Sequence, residues 1–139
     1  VHGHGDSREA AAYLGRSGLL QCELGHFRAG AEAYRRALAI FDRLETRDHP
    51  ERLVLLRNSC SAFVFLDELE QAARDCDQAL AMATRLYGAN SEQQANTRVY
   101  RIKLLAAQGR LDEAHAETRR LRAMGSRVRR DGLSRTHSD

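Results

Sequence analysis

The most constraining feature of this sequence is that it repeats itself. The stretch YRRALAIFDRLETRDHPE at residues 34–51 returns as CDQALAMATRLYGANSE at residues 76–92, an offset of 42 residues. A fixed period of this kind means that one supersecondary unit is copied along the chain, and such a unit hides its apolar side only by stacking on its neighbours. Gly25, Asp67 and Gly109 carry the same spacing. Each is followed two residues later by Phe27, Leu69 or Leu111 and then by a small residue, Gly30, Ala72 or Ala114. The chain therefore holds three copies.

Within each copy the apolar residues recur at helical spacing: Tyr34, Leu38 and Phe41; Leu56, Cys60 and Phe63; Leu69, Cys76, Leu80 and Ala83; Leu111, Ala114, Leu121 and Met124. No strand-like alternation competes, and a single proline, Pro50, leaves few of the turns that a sandwich or barrel needs. Asp6 with Glu9, Asp48 with Glu51 and Ser91 with Gln94 have the three-residue spacing of a capping box and mark three helix starts. Pro50 fits a first helical turn, where its missing amide would have no partner anyway. These signals predict six helices, about 7–24, 27–45, 50–66, 68–87, 91–108 and 111–124, in three antiparallel pairs (7–45, 50–87 and 91–124) within a domain at 7–125. Residues 1–6 and the basic stretch 126–139, entered through Gly125, are expected to be flexible ends.

Composition narrows the function classes. With 42% hydrophobic and 29% charged residues, a chain of 139 residues can fill and cover one core. Basic residues exceed acidic ones by 22 to 19, all but Lys103 being arginine. A net charge of +3 does not imply a nucleic-acid partner. Arg127, Arg129 and Arg130 of the tail could reach an acidic surface or nucleic acid, with plain solvation as the alternative. No apolar run approaches the roughly 18–20 residues that cross a bilayer, and the segment VHGHGDSREAAAYL lacks the plan of a signal peptide, so no membrane partner is expected. The absence of an initiator methionine is expected of a piece of a longer protein or of a processed chain. Cys22, Cys60 and Cys76 stand at apolar positions and suit buried thiols in a reducing cytoplasm better than disulfides or zinc.

No catalytic or cofactor pattern is present in the sequence. The six histidines are scattered, none pairs with another at the four-residue helical spacing of a metal-ligand set, and neither a phosphate-binding glycine loop nor a nucleophile elbow occurs. The HGH at residues 2–4 is the one local metal-binding possibility, and a remnant is its plainer reading. Neither an enzyme nor a cofactor is expected.

The copies YLGRSGLLQCELGHFRAGAEAYRRALAIF, LRNSCSAFVFLDELEQAARDCDQALAM and YRIKLLAAQGRLDEAHAETRRLRAM resemble the tetratricopeptide repeat (TPR). The first matches at Leu14, Gly18, Gly25, Phe27, Tyr34, Ala37 and Leu38, and the second at Leu56, Leu69, Ala72, Ala79 and Leu80. The third matches at Gly109, Leu111 and Ala114 and departs at Thr118 and Leu121. The 42-residue period and RALAIFDRLETRDHPE more closely resemble the kinesin light chain type of repeat. The resemblance implies an all-α solenoid of three helical hairpins in a right-handed superhelical stack. It also implies a non-enzymatic protein-interaction module, as a sensing or docking part of a larger regulator or scaffold. Small residues at Gly18, Gly30, Ala37, Ala72, Ala79 and Ala114 would let helices approach to about 8 Å rather than 10 Å.

In such a stack the first helix of each pair lines a concave groove that takes an extended peptide or a partner helix. By register the groove stripe comprises Arg16, Leu19, Cys22 and Glu23; Arg57, Asn58, Ser61, Val64 and Phe65; and Asn96, Tyr100, Lys103 and Ala107. The candidate partner-binding residues are Asn58, Arg57, Ser61, Phe65, Arg16, Tyr100 and Lys103. The Asn58 amide offers both donor and acceptor to a peptide backbone, although a solvated helix residue is its plain alternative. Arg16, Arg57 and Lys103 would favour an acidic segment. The run AFVFL has more apolar residues than one helix face buries, so Val64 or Phe65 is expected to be exposed in the groove or at a protein contact, with burial against the third pair as the plainer alternative, and self-association through Phe65 into a homodimer is the competing functional reading. The second copy also resembles chaperone-binding repeats, but of the matching positions Gly15, Leu19, Asn58, Asn96 and Tyr100 only Asn58 fits, and chaperone-tail binding is not expected.

Overall fold

The computed structural model describes residues 7–44 and 47–137, the stretch 126–137 by backbone alone. Among the described residues there are six α-helices and no strand: α1 (Arg8–Glu23), α2 (Phe27–Arg43), α3 (Pro50–Phe65), α4 (Leu69–Tyr87), α5 (Glu92–Ala107) and α6 (Leu111–His137). None of them is long and apolar enough to cross a membrane.

The first helix of each pair starts at one register: its caps are Ser7, His49 and Ser91, 42 residues apart. The Ser7 and Ser91 hydroxyls accept the amides of Ala10 and Gln94, each at 3.1 Å, and His49 Nδ1 accepts the amide of Glu51 at 3.1 Å. This corrects the expected cap at Asp48. The Asp48 carboxylate instead accepts from Nε and Nη2 of Arg85 at 2.8 and 2.9 Å, and a bidentate guanidinium outcompetes a single backbone amide. Asp6 lies outside the described residues.

The turn inside each pair is also repeated. Gly25, Asp67 and Gly109 all have positive φ, at 84°, 59° and 77°. The next residue's amide reaches back five residues, from His26 to Gln21, Glu68 to Phe63 and Arg110 to Leu105, all within 2.8–2.9 Å. This is the left-handed closure that satisfies the last carbonyls of a helix. Glycine enters that region without a Cβ penalty, and aspartate is among the few other residues that tolerate it.

Neighbouring helices pack in sequence order, and the first helices of successive pairs also touch, α1 with α3 and α3 with α5. Among the described residues the backbones of the second helices do not approach one another in this way. Helices that crowd on one side and splay on the other define a curved slab whose inner side is α1, α3 and α5. On the splayed side, arginines of α2 bridge the gap: Arg28 pairs with Glu68 at 2.9 Å and Arg35 with Asp75 at 3.2 Å.

The core runs through all three pairs, with Tyr34, Phe41, Leu56, Cys60 and Cys76 fully enclosed. Small residues set the spacing. Ala37, Ala72 and Ala79 have no exposed surface, and Gly18 and Gly30 meet where α1 crosses α2. A Cβ on Gly30 would collide with Cys22 Sγ and lie 2.9 Å from the Gly18 carbonyl oxygen. Among the described residues one buried carboxyl group interrupts this apolar interior. Asp75 accepts Ser59 Oγ at 2.6 Å and Gln71 Nε2 at 3.0 Å, and faces Arg35 from the outside.

Helix α6 differs from expectation. It continues through Gly125 to His137 instead of stopping near residue 124. An interior glycine costs only about 1 kcal/mol relative to alanine, and no proline follows to end the helix.

Overpacking at the helix crossings is expected to destabilise the stack. Gly30→Ala and Ala79→Leu should each cost on the order of 1–3 kcal/mol in urea or thermal unfolding, and unchanged stability in both would refute close packing there. Burial pushes the Asp75 carboxyl above its ordinary value of 3.8, against the opposing pull of Ser59, Arg35 and Gln71. The native state then holds a proton that the unfolded chain has released, so this group's contribution to stability falls as pH rises from 3.8 through the folded value. Urea titrations across this range should show that downward component in the native sequence and lose it in Asp75→Asn.

Candidate functional site

Two hollows lie along the inner side of the slab. The upper one, about 260 Å³, sits between α1 and α3 and is lined by Ala11, Gly15, Arg16, Leu19, Leu55 and Asn58 with Phe41, Glu51 and Val54 at its edges. The lower one, about 140 Å³, reaches from α1 across α3 to α5 and is lined by Leu19, Cys22, Asn58, Ser61, Tyr100 and Lys103, with Phe27, Tyr34 and Phe65 closing it. Leu19 and Asn58 belong to both, so the half-buried Asn58 amide stands at the junction.

Of the residues expected from register, Asn58, Ser61, Phe65, Tyr100 and Lys103 come together around the lower hollow, and Arg16 lines the upper one. Arg57 lines neither hollow. Its guanidinium lies 5.9 Å from the centre of the Tyr100 ring, and Lys103 Nζ lies 5.5 Å from the same ring. Tyr100 thus has two cations beside its ring, which places positive charge on the α5 side of the groove. Glu23, Asn96 and Ala107 are exposed away from the hollows, and Val64 packs against the core.

Phe65 is 66% exposed, yet one ring face is stacked on Phe27 with centroids 4.4 Å apart and planes 8° from parallel. Phe27 was missed as a groove residue because helical periodicity relates positions on one helix only, whereas this pair joins the start of α2 to the end of α3. The signal available was that each aromatic flanks a turn, Phe27 after Gly25 and Phe65 before Asp67. The upper hollow's Ala11, Gly15 and Leu55 were missed for a related reason. Gly15 leaves the opening: a Cβ there would lie 3.0 Å from Leu55 Cδ2.

The groove floor holds one accessible thiol. Cys22 is half-buried beside the Tyr34 hydroxyl, while Cys60 and Cys76 are enclosed in the core. Burial pushes both the Cys22 thiol and the Tyr34 hydroxyl up, and the hydrogen bond between them opposes the shift at the thiol. Among the described residues no group of histidine, cysteine, aspartate or glutamate side chains could hold a metal ion.

The sequence matches no protein-family model and no curated protein. The backbone is more informative. A crystal structure from Podosopora anserina, described as a kinesin light chain of nearly identical TPR-like repeats, superimposes with a TM-score of 0.79 over 91% of this chain. The fold is a TPR-like α-solenoid. At 16% identity this likeness concerns the fold alone, and the chain spans 59% of the length of that structure. The TPR-like frame accounts for the layout described above: first helices inside, second helices outside, and an open trough between the inner helices.

The Cys22 environment makes a direct prediction. With maleimide under native conditions one thiol per chain should react, more slowly than a free thiol because the thiolate is disfavoured. Cys22→Ser should abolish that phase, and simultaneous reaction of all three thiols would contradict the packing.

Proposed function

We propose that this chain is a non-enzymatic protein-interaction module, part of a larger cytoplasmic regulatory or scaffold protein, that receives a peptide segment or partner helix in the trough of its TPR-like stack. The observation that carries this reading is the position of Asn58 at the junction of two adjoining apolar hollows. An extended peptide laid along α3 could place side chains in both hollows while its backbone pairs with the one amide between them. The Phe27–Phe65 stack supports an apolar or aromatic anchor at the lower hollow, since aromatic pairs gain from added parallel or edge contacts. Arg16 on one side, with Lys103 and the Arg57–Tyr100 pair on the other, supports an acidic residue flanking that anchor.

Selection of displayed peptides on the full chain tests this. The expected outcome is a consensus with an aromatic or large aliphatic anchor and nearby acidic residues, protecting Cys22 from maleimide. Asn58→Ala should weaken binding by roughly tenfold or more, the loss of one or two hydrogen bonds in a desolvated site, and Lys103→Glu should select against the acidic positions. Recovery of the same peptides with unchanged affinity by Asn58→Ala would refute the groove reading. The 66% exposure of Phe65 favours a second reading, self-association at that rim. Sedimentation distinguishes it: a dimer lost in Phe65→Ala and indifferent to peptide is the result that favours it.

A further inference from the structure

The 42-residue register allows each first helix to be compared with the others, and α1 differs from α3 and α5 in one respect. Tyr13, Leu20 and Leu24 form a single stripe on α1 at seven- and four-residue steps and are 68%, 55% and 60% exposed. The equivalents of Tyr13 and Leu20 are enclosed: Leu55 and Ala62 of α3 are 5% and 2% exposed, and Thr97 and Leu104 of α5 are 0% and 4%; those of Leu24, Leu66 and Gln108, are half-buried. In α3 these positions face the preceding repeat: Leu55 lies against Gly15 of α1 and shares a hollow with Phe41 of α2, Ala62 shares the other with Leu19 of α1 and Tyr34 of α2, and α2 packs on α3. Helix α4 packs on α5 in the same way. The stripe on α1 is thus the same receiving surface in register, and among the described residues no helix covers it.

We infer that this stripe is a docking surface for an amphipathic helix of the α2 and α4 kind, with small and large apolar residues at three- and four-residue steps, seated as α2 sits on α3. Three observations select this occupant. The surface is continuous in register with two interfaces of the fold that are each filled by such a helix. Residues 1–6, VHGHGD, contain one large apolar side chain and cannot supply the stripe. The opposite end of the stack is built differently: the described part of α6 exposes Asp112, Glu113, Arg119, Arg120 and Arg122, so a second copy joined head to tail would bury charges against Tyr13 and Leu20. The described outer face of α6 is thus largely charged, whereas α1 presents an apolar stripe. This inference rests on the register alone and does not depend on the groove reading.

A synthetic peptide of residues 27–43, the helix that fills the equivalent surface on α3, serves as probe. Titrated into the isotope-labelled full chain, it should shift the amide resonances of residues 8–24. Leu20→Glu should weaken binding by roughly tenfold without lowering Tm, since Leu20 is already exposed, and Asn58→Ala should leave it unchanged. The inference fails if no shift develops at millimolar peptide, if the shifts fall on α3 and α5 around Asn58, or if Leu20→Glu leaves the affinity intact. It also fails if the chain alone forms a dimer that Leu20→Glu dissolves, because a second copy is then the occupant.

Discussion

Close approach of paired helices at residues with almost no side chain is the constraint on which the rest of this structure depends. Where α1 crosses α2, Gly18 and Gly30 bring the two backbones together, and Tyr34 fills the space beside Gly18. Ala37, Ala72 and Ala79 have the same role further along the stack. A hairpin closed this tightly is thin and carries apolar residues on both of its broad sides. It can exclude water only when another hairpin lies against it. Stacking is therefore a consequence of the tight crossing, and curvature is a consequence of stacking. Helices α1, α3 and α5 touch in succession while α2, α4 and α6 are held apart.

Curvature in turn makes the trough. The inner helices converge without sealing the space between them because the residues facing inward alternate between small ones, such as Gly15 and Ser61, and large ones, such as Leu19 and Tyr100. The outer side uses a different device. There the backbones of the second helices do not approach closely, and long side chains cross the gap, Arg28 to Glu68 and Arg35 to Asp75. The first of these pairs is exposed and adds little stability. The second reaches a carboxylate that is buried and already bonded to Ser59 and Gln71, so it fixes how repeats one and two are oriented.

Much of the architecture was legible in the sequence, and the exceptions have physical causes. The turn positions 25, 67 and 109 were readable because few residues accept a left-handed backbone, and the three that stand there keep an unbroken spacing. Cap assignment was one residue off at Asp48, since spacing rules reveal a polar side chain near a helix start but not a distant Arg85 competing for it. The end of α6 was misjudged because a single glycine is a weak stop when no proline or turn follows. In the groove, positions on one helix followed from register, whereas Phe27 became a wall residue only through its stack with Phe65 on another helix.

The sequence by itself determined the number of repeats, the order of the helices, the turns between them and which side of each helix is apolar, because these depend on local conformational preference and periodicity. Only the tertiary structure decided which apolar residues are covered. Tyr13 and Leu55 occupy equivalent registers, and periodicity does not distinguish them, yet one is open and the other enclosed because, among the described residues, only the second has a preceding helix against it. The same holds for the meeting of Asn58, Phe65, Phe27 and Tyr100 in one trough. Their separation in space is set by how closely Gly18, Gly30 and the buried alanines let the backbones approach, and that distance is a property of packed helices, which no single helix carries.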